Sequence, residues 1–246
     1  MSIRWAYGVT TVKSRFNTTL PITLESLRLG GFPSPRLFID GEGLYDVRLT
    51  STHRTPKIGA FDNWMLGLWE LYLRDPLATY YAMFQDDFIC YQNLRQYLEK
   101  CEYPNKGYWN LYTFPINVRP FSRWYLSDQS GKGAVALVFN KQALMTFLGS
   151  SYPAGRVQTN EHARHKNIDW VVLETMRLAG SFEYVHNPSL VQHLPSMPQN
   201  IGTMPSTVGN KDHPESPVFW GEDFDALELL KRPQGIVMGE AIATST

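Results

Sequence analysis

The sequence predicts a single α/β domain whose central sheet is mainly parallel and flanked by helices. Three observations carry that prediction. Strand-like and helix-like segments alternate along most of the chain, the pattern of a parallel sheet covered by crossover helices. The chain has 246 residues, 43% hydrophobic and 13% aromatic, enough to bury a sizeable core and to exclude global disorder. Several predicted strands also end on polar groups, namely Thr10-Thr11, Asp40 and Asp86-Asp87. In such sheets ligands bind beyond the carboxyl ends of the strands.

The elements follow in order. Ile3–Val12 is rich in β-branched and aromatic residues and reads as a strand. Leu20, Leu24 and Leu27 fall on one helical face, and Gly30-Gly31 stops that helix. RLFI (Arg36–Ile39) is a short buried strand, and residues 42–61 read as a polar, irregular connection. Asp62 is a candidate N-cap for a helix with Trp64, Leu68 and Leu71 on one stripe, ending near Asp75-Pro76. Thr79–Phe84 is a strand and Asn93–Cys101 a short helix. Tyr108–Tyr112 and Ala134–Phe139 are strands separated by a long loop around Phe121–Gly133. Asn140 caps a helix Lys141–Leu148, and Ile168–Leu178 is a further helix with Gly180 as its left-handed terminator. Phe182–Val185 and Leu190–His193 close the pattern as extended pieces. Beyond Pro195 proline, serine, glycine and asparagine dominate, so residues 1–194 are expected to form the domain and 195–246 an irregular C-terminal arm that packs on the same domain and frays at its end.

Charge narrows the function. Lysine plus arginine equals aspartate plus glutamate at 23 each, so no basic field is available to hold nucleic acid or an anionic membrane. Cys90 and Cys101 form no CxxC pair and read as buried thiols. The stretch MSIRWAYGVTTVKSR lacks the apolar core of a signal peptide, and no apolar run approaches the roughly 20 residues that span a bilayer. The expectation is a soluble, cytoplasmic protein. GxxxxGK[ST], GxGxxG after the first strand and GxSxG are all absent, which removes the commonest rival α/β enzymes.

The most informative stretch is TYYAMFQDDF (residues 79–88), where an apolar run stops at Asp86 and Asp87. The pair is either a solvated turn or a cation site at the sheet edge, where Mg²⁺ or Mn²⁺ takes one or two carboxylates and substrate phosphate oxygens. Asp40 either contacts a nucleotide or closes an Asp-Gly turn, and His193 is either a hydrogen-bonded loop residue or a ligand that favours manganese. Asp169 lies in the first turn of a predicted helix, where the dipole favours the ionised form. Glu161 is the alternative acid in the same stretch, and His162 and His165 read as a solvated loop. Of the tryptophans, Trp124, placed in a loop, is the better candidate for stacking on a sugar, and Trp109 reads as core.

Taken together, these words resemble the GT-A-fold (Rossmann-like) glycosyltransferases over roughly residues 3–194. VTTVKSRFNTTLPITLESLRLGGF resembles the family's first strand, donor-binding turn and first helix, and RLFIDG its second strand. FQDD sits where the family's metal-holding DXD motif belongs, with Gln85 in place of the first acid. WYLSDQSGKGAVALVFNKQAL resembles the segment before the acceptor side, and NPSLVQH is similar to the closing strand of the branching N-acetylglucosaminyltransferases. The resemblance implies a metal-dependent, inverting transfer from a nucleotide sugar, a UDP-sugar first among them, to a hydroxyl of a carbohydrate acceptor. It implies Asp87 as direct ligand of Mn²⁺ or Mg²⁺ with His193 beside it, and Asp86 on the ribose or a metal-bound water. Thr10, Thr11 and Arg15 would meet the donor's base, ribose and phosphate. Asp40 would bind uracil or ribose, Gly59 and Asn63 would let backbone approach the nucleotide, and Asp169 would be the base. Two rivals remain: a sugar-phosphate nucleotidyltransferase, whose glycine-rich N-terminal loop is replaced here by VTTVKSR, and a non-catalytic carbohydrate-binding protein on a transferase fold.

Overall fold

In the computed structural model residues 3–46, 48–120, 123–151, 153, 167–194 and 215–232 are described. The strands are β1 (Trp5–Thr11), β2 (Arg36–Asp40), β3 (Ser51–Arg54), β4 (Tyr80–Gln85), β5 (Phe88–Cys90), β6 (Gly107–Asn110), β7 (Arg123–Leu126), β8 (Ala136–Asn140), β9 (Phe182–Asn187) and β10 (Val191–His193). The helices are α1 (Thr19–Leu29), α2 (Ala60–Arg74), α3 (Leu94–Lys100), α4 (Lys141–Leu148) and α5 (Ile168–Leu178). The main sheet has eight strands in the order β3-β2-β1-β4-β8-β6-β9-β7, and β10 pairs with β5 in a separate two-stranded ribbon. Only β8 and β7 run against the other strands of the main sheet, so the sheet is mainly parallel, as expected.

Strand alternation supplies two cores, because successive side chains point to opposite faces. Trp5 and Val9 of β1, Tyr80, Ala82 and Phe84 of β4, and Ala136 and Val138 of β8 join Leu20 and Leu27 of α1 and Leu94 and Leu98 of α3. The intervening residues Ala6, Tyr81, Met83, Leu137 and Phe139 face α2, α4 and α5 through Trp64, Leu68, Leu144, Phe147, Val172 and Met176. Burial on both faces explains why β4 reads as an unbroken apolar run.

Most expected elements appear within a residue or two of their expected ends. Asn140 does cap α4, its Oδ1 accepting from Ala143 N at 2.7 Å, and Gly180 has the left-handed φ of 69°. Four expectations need correction. Helix α2 starts at Ala60 with Gly59 as N-cap, and Asp62 sits inside its first turn. Residues 42–61 contain β3, a polar edge strand whose Thr52 and Arg54 are held by Glu70 of α2 at 2.7 and 3.1 Å. The loop around Phe121–Gly133 contains β7. Trp124 therefore lies in a strand rather than a loop, its half-buried ring stacked on Trp109 at 4.8 Å. Of the expected arm, residues 215–232 pack on the domain. Phe219 stacks on Tyr91 at 4.8 Å, and Arg123 donates to the carbonyls of Leu230 and Arg232.

Helix α2 approaches the sheet closely because two glycines make room for one ring. A Cβ on Gly8 would lie 2.5 Å from Phe38 Cε2, and one on Gly67 would lie 3.0 Å from Phe38 Cδ2. Gly8→Ala is therefore expected to destabilise the protein by about 1–3 kcal/mol through overpacking. In a Phe38→Leu background the same change should cost less, and urea unfolding of the four-member mutant cycle reads the difference. Additive costs would show that the ring and the glycine do not share this space.

Candidate functional site

The chain leaves β1 outward to β2 and β3, then returns to β4 on the other side of β1. Strand order thus reverses between β1 and β4, and crevices at such a point are where open α/β sheets bind ligands. The registers Thr10↔Gln85 and Thr11↔Ile39 set the ends of β1, β4 and β2 side by side. Asp86 and Asp87 continue from β4, and a short 3-10 turn, Lys13–Arg15, follows β1.

One guanidinium joins these ends. Arg15 Nη1 donates to Asp86 Oδ1 at 2.5 Å and to Asp87 Oδ2 at 2.6 Å. The same Asp87 oxygen lies 3.7 Å from His193 Nε2. His193 comes from β10, opposite Phe88, and Leu194 N donates to Asp87 O at 2.8 Å, so the ribbon holds the acid's backbone. Asp86 and Asp87 are 3% and 8% exposed, which rules out the solvated-turn reading. Burial pushes the Asp86 carboxyl up to about 6, with Asp87 adding to the rise, while Arg15 and the Thr11 hydroxyl oppose it. Burial alone would lower the Arg15 pKa, but the attraction of Asp87 and Asp86 overcomes it and holds the guanidinium firmly charged. Removing one partner from a buried ionic group typically costs about 3–5 kcal/mol.

A second group stands one strand away. Asp40 is buried, and its carboxylate oxygens accept from Ile58 N at 2.8 Å and Gly59 N at 3.0 Å. Gly59 has φ 97°, a conformation that favours glycine, and Asn63 Nδ2 donates to Phe38 O at 2.8 Å. Asp40 and Asn63 thus shape the loop that enters α2. Thr10 directs its hydroxyl to Phe84 O at 3.3 Å, within the sheet.

Asp169 belongs to the same sheet edge by a chain of contacts. Its Oδ2 accepts from Gly133 N at 2.9 Å and its Oδ1 from Trp170 N at 3.2 Å. The next residue, Ala134, accepts from Gln85 Nε2 at 2.9 Å, and Gln85 N donates to Val135 O. Gln85 therefore has a structural duty that an acid could not perform, because an ionised carboxylate has no proton to donate. Burial raises the Asp169 pKa, opposed by the Gly133 and Trp170 amides.

The sequence reading missed Glu183. This β9 carboxylate is 1% exposed, accepts from Tyr108 OH at 3.1 Å and from Asn110 Nδ2 at 3.2 Å, and is pushed up to about 7 by burial. Asn110 also donates to Lys132 O, so Glu183 braces the turn that meets Asp169. The available signal was one acid inside the aromatic strand FEYVHN. Glu161, His162 and His165 lie outside the described residues.

No cluster of three or more His, Cys, Asp or Glu with metal-holding geometry occurs among the described residues. Asp87 and His193 nevertheless bring a carboxylate and an imidazole to one locus, donor types that suit a divalent transition metal. The buried Oδ2 of Asp86 also has no hydrogen-bond partner of good geometry among the described residues. The residues thus fit the ion that the resemblance implies, with Arg15 as a competing cation.

No helix among the described residues is long and apolar enough to cross a membrane. No family model matches the chain, and no curated protein matches it. Among solved structures, A197 from STIV aligns over 79% of this chain and 87% of its own, at 10% identity and a TM-score of 0.45.

Glu183 has a pH signature. Its pKa is raised on folding, so its favourable contribution is complete below about 4.5 and is lost as pH rises through about 7. Glu183→Gln is expected to raise stability at pH 8 by about 3 kcal/mol relative to wild type, with no gain at pH 4. Urea midpoints at the two pH values test this, and an equal effect at both would rule out titration as the cause.

Proposed function

We propose that this chain is a metal-dependent glycosyltransferase that moves a sugar from a nucleoside-diphosphate sugar, preferably a UDP-sugar, to a hydroxyl of a carbohydrate acceptor. The observation that carries the reading is the Arg15–Asp86–Asp87–His193 cluster at the strand-order reversal, where the resemblance puts a metal motif. Asp87 and His193 would hold the divalent ion, Mn²⁺ or Mg²⁺, with Asp86 assisting. When bound, that ion supplies Lewis-acid neutralisation of charge on the departing diphosphate.

The remaining steps fall to side chains of the chain. Thr11 and Arg15 stand beside the acids, where ribose and phosphate would lie, and the loop shaped by Asp40, Gly59 and Asn63 offers backbone to the base. Asp169 takes the proton of the acceptor hydroxyl. Its raised pKa strengthens it as a base, and amide hydrogen bonds from Gly133 and Trp170 fix its direction. An acceptor hydroxyl activated there and attacking from the face opposite the diphosphate would invert the anomeric centre as the diphosphate leaves.

One observation favours a second reading. Arg15 engages both acids at once, as a structural lock would, and this suits a carbohydrate-binding protein without catalysis.

Calorimetry with UDP and Mn²⁺ separates the two. The first reading expects binding that weakens at least about tenfold in Asp87→Ala; no heat with either ligand sinks it. Asp169→Asn is expected to retain UDP binding but to slow turnover of a UDP-sugar by about 10²–10⁴-fold, followed by UDP release. Unchanged turnover would remove Asp169 from the base role.

A further inference from the structure

We propose that Arg15 makes the metal and the diphosphate bind as a pair. Its guanidinium is the resting counter-ion of Asp86 and Asp87, and it yields them to a divalent cation only when a diphosphate arrives to take it in exchange. This deepens the reading above and rests on it.

The geometry sets up a competition for one atom. Asp87 Oδ2, the oxygen 3.7 Å from His193 Nε2, is the oxygen that Arg15 Nη1 holds at 2.6 Å. A cation shared by Asp87 and His193 must therefore contend with the guanidinium. Formal charge adds a second constraint. The two acids against one guanidinium leave a single negative charge, and a divalent ion alone would turn that into a single positive surplus. With acids 3% and 8% exposed, water does little to screen it. A diphosphate alone fares no better, since it meets two carboxylates already short of positive charge. Together the ion and a doubly charged diphosphate return the site to the single negative charge it starts from, whereas either alone shifts that charge by two.

Arg15 is built for the exchange. It sits on a three-residue turn, its side chain is 20% exposed against 5% for Asp86, and its planar fork pairs with phosphate oxygens as well as with carboxylates.

The test is Mn²⁺ binding read by electron paramagnetic resonance, with and without UDP. Wild type is expected to bind Mn²⁺ at least about tenfold more tightly with UDP present. UDP should bind more tightly with Mn²⁺ by the same factor, because coupling is reciprocal. In Arg15→Gln, Mn²⁺ alone should bind about tenfold more tightly than in wild type, and the UDP effect should shrink below about threefold. Arg15→Lys keeps the charge and should keep Mn²⁺ alone weak. Equal Mn²⁺ affinity with and without UDP in wild type overturns the exchange while leaving the glycosyltransferase reading intact. So does an Arg15→Gln protein that binds Mn²⁺ alone no better than wild type. Absence of both Mn²⁺ and UDP binding in every combination overturns the two readings together. The wild-type comparison needs no variant to fold.

Discussion

A sheet covered on both faces leaves polar side chains few places to stand, and its strand ends are the main one. In this protein α1 and α3 cover one face and α2, α4 and α5 the other, so the centres of β1, β2, β4 and β8 are apolar. Asp40 and the Asp86–Asp87 pair stand where that cover stops, with Thr11 at the end of β1. The acids are nonetheless buried, and the cost of burying them sets the neighbourhood. Asp40 accepts from two backbone amides, and one arginine bridges the acid pair. Each solution ties a loop to a strand end, so burying the charge and ordering the loop are one event.

What the sequence revealed was what repeats locally. The leucine stripe of α1, the apolar run of β4, the Asn140 cap and the Asp86–Asp87 pair at a strand end all rest on spacings of a few residues. What stayed hidden depends on distance in the chain. Arg15 meets Asp86 across 71 positions, and no local pattern distinguishes such an arginine from a surface charge. Strand β3 is polar because it is an edge strand held by Glu70, and β5 is only three residues long. The reversed direction of β8 leaves no mark on an apolar run, since antiparallel and parallel strands buried on both faces look alike.

Two buried acids meet the same cost of burial with different neighbours. Asp86 has a guanidinium beside it, and burial raises its pKa to about 6. Glu183 has neutral donors only, Tyr108 and Asn110, and it rises to about 7. Set against the ordinary values of the two side chains, 3.8 and 4.5, the two rises are similar, because burial is the largest cause in each.

The hydrogen bond from Gln85 to Ala134 has a consequence for how this chain can change over time. It hooks the end of β4 to the start of β8, and through Gly133 it sets the Asp86–Asp87 side and the Asp169 side in one ladder. Their separation is fixed by strand register rather than by connecting segments. Insertions and substitutions in those segments can accumulate without altering that spacing, whereas a one-residue slip between β4 and β8 would misplace both sides at once. Drift is cheap at the rim and forbidden at the hinge of the two halves.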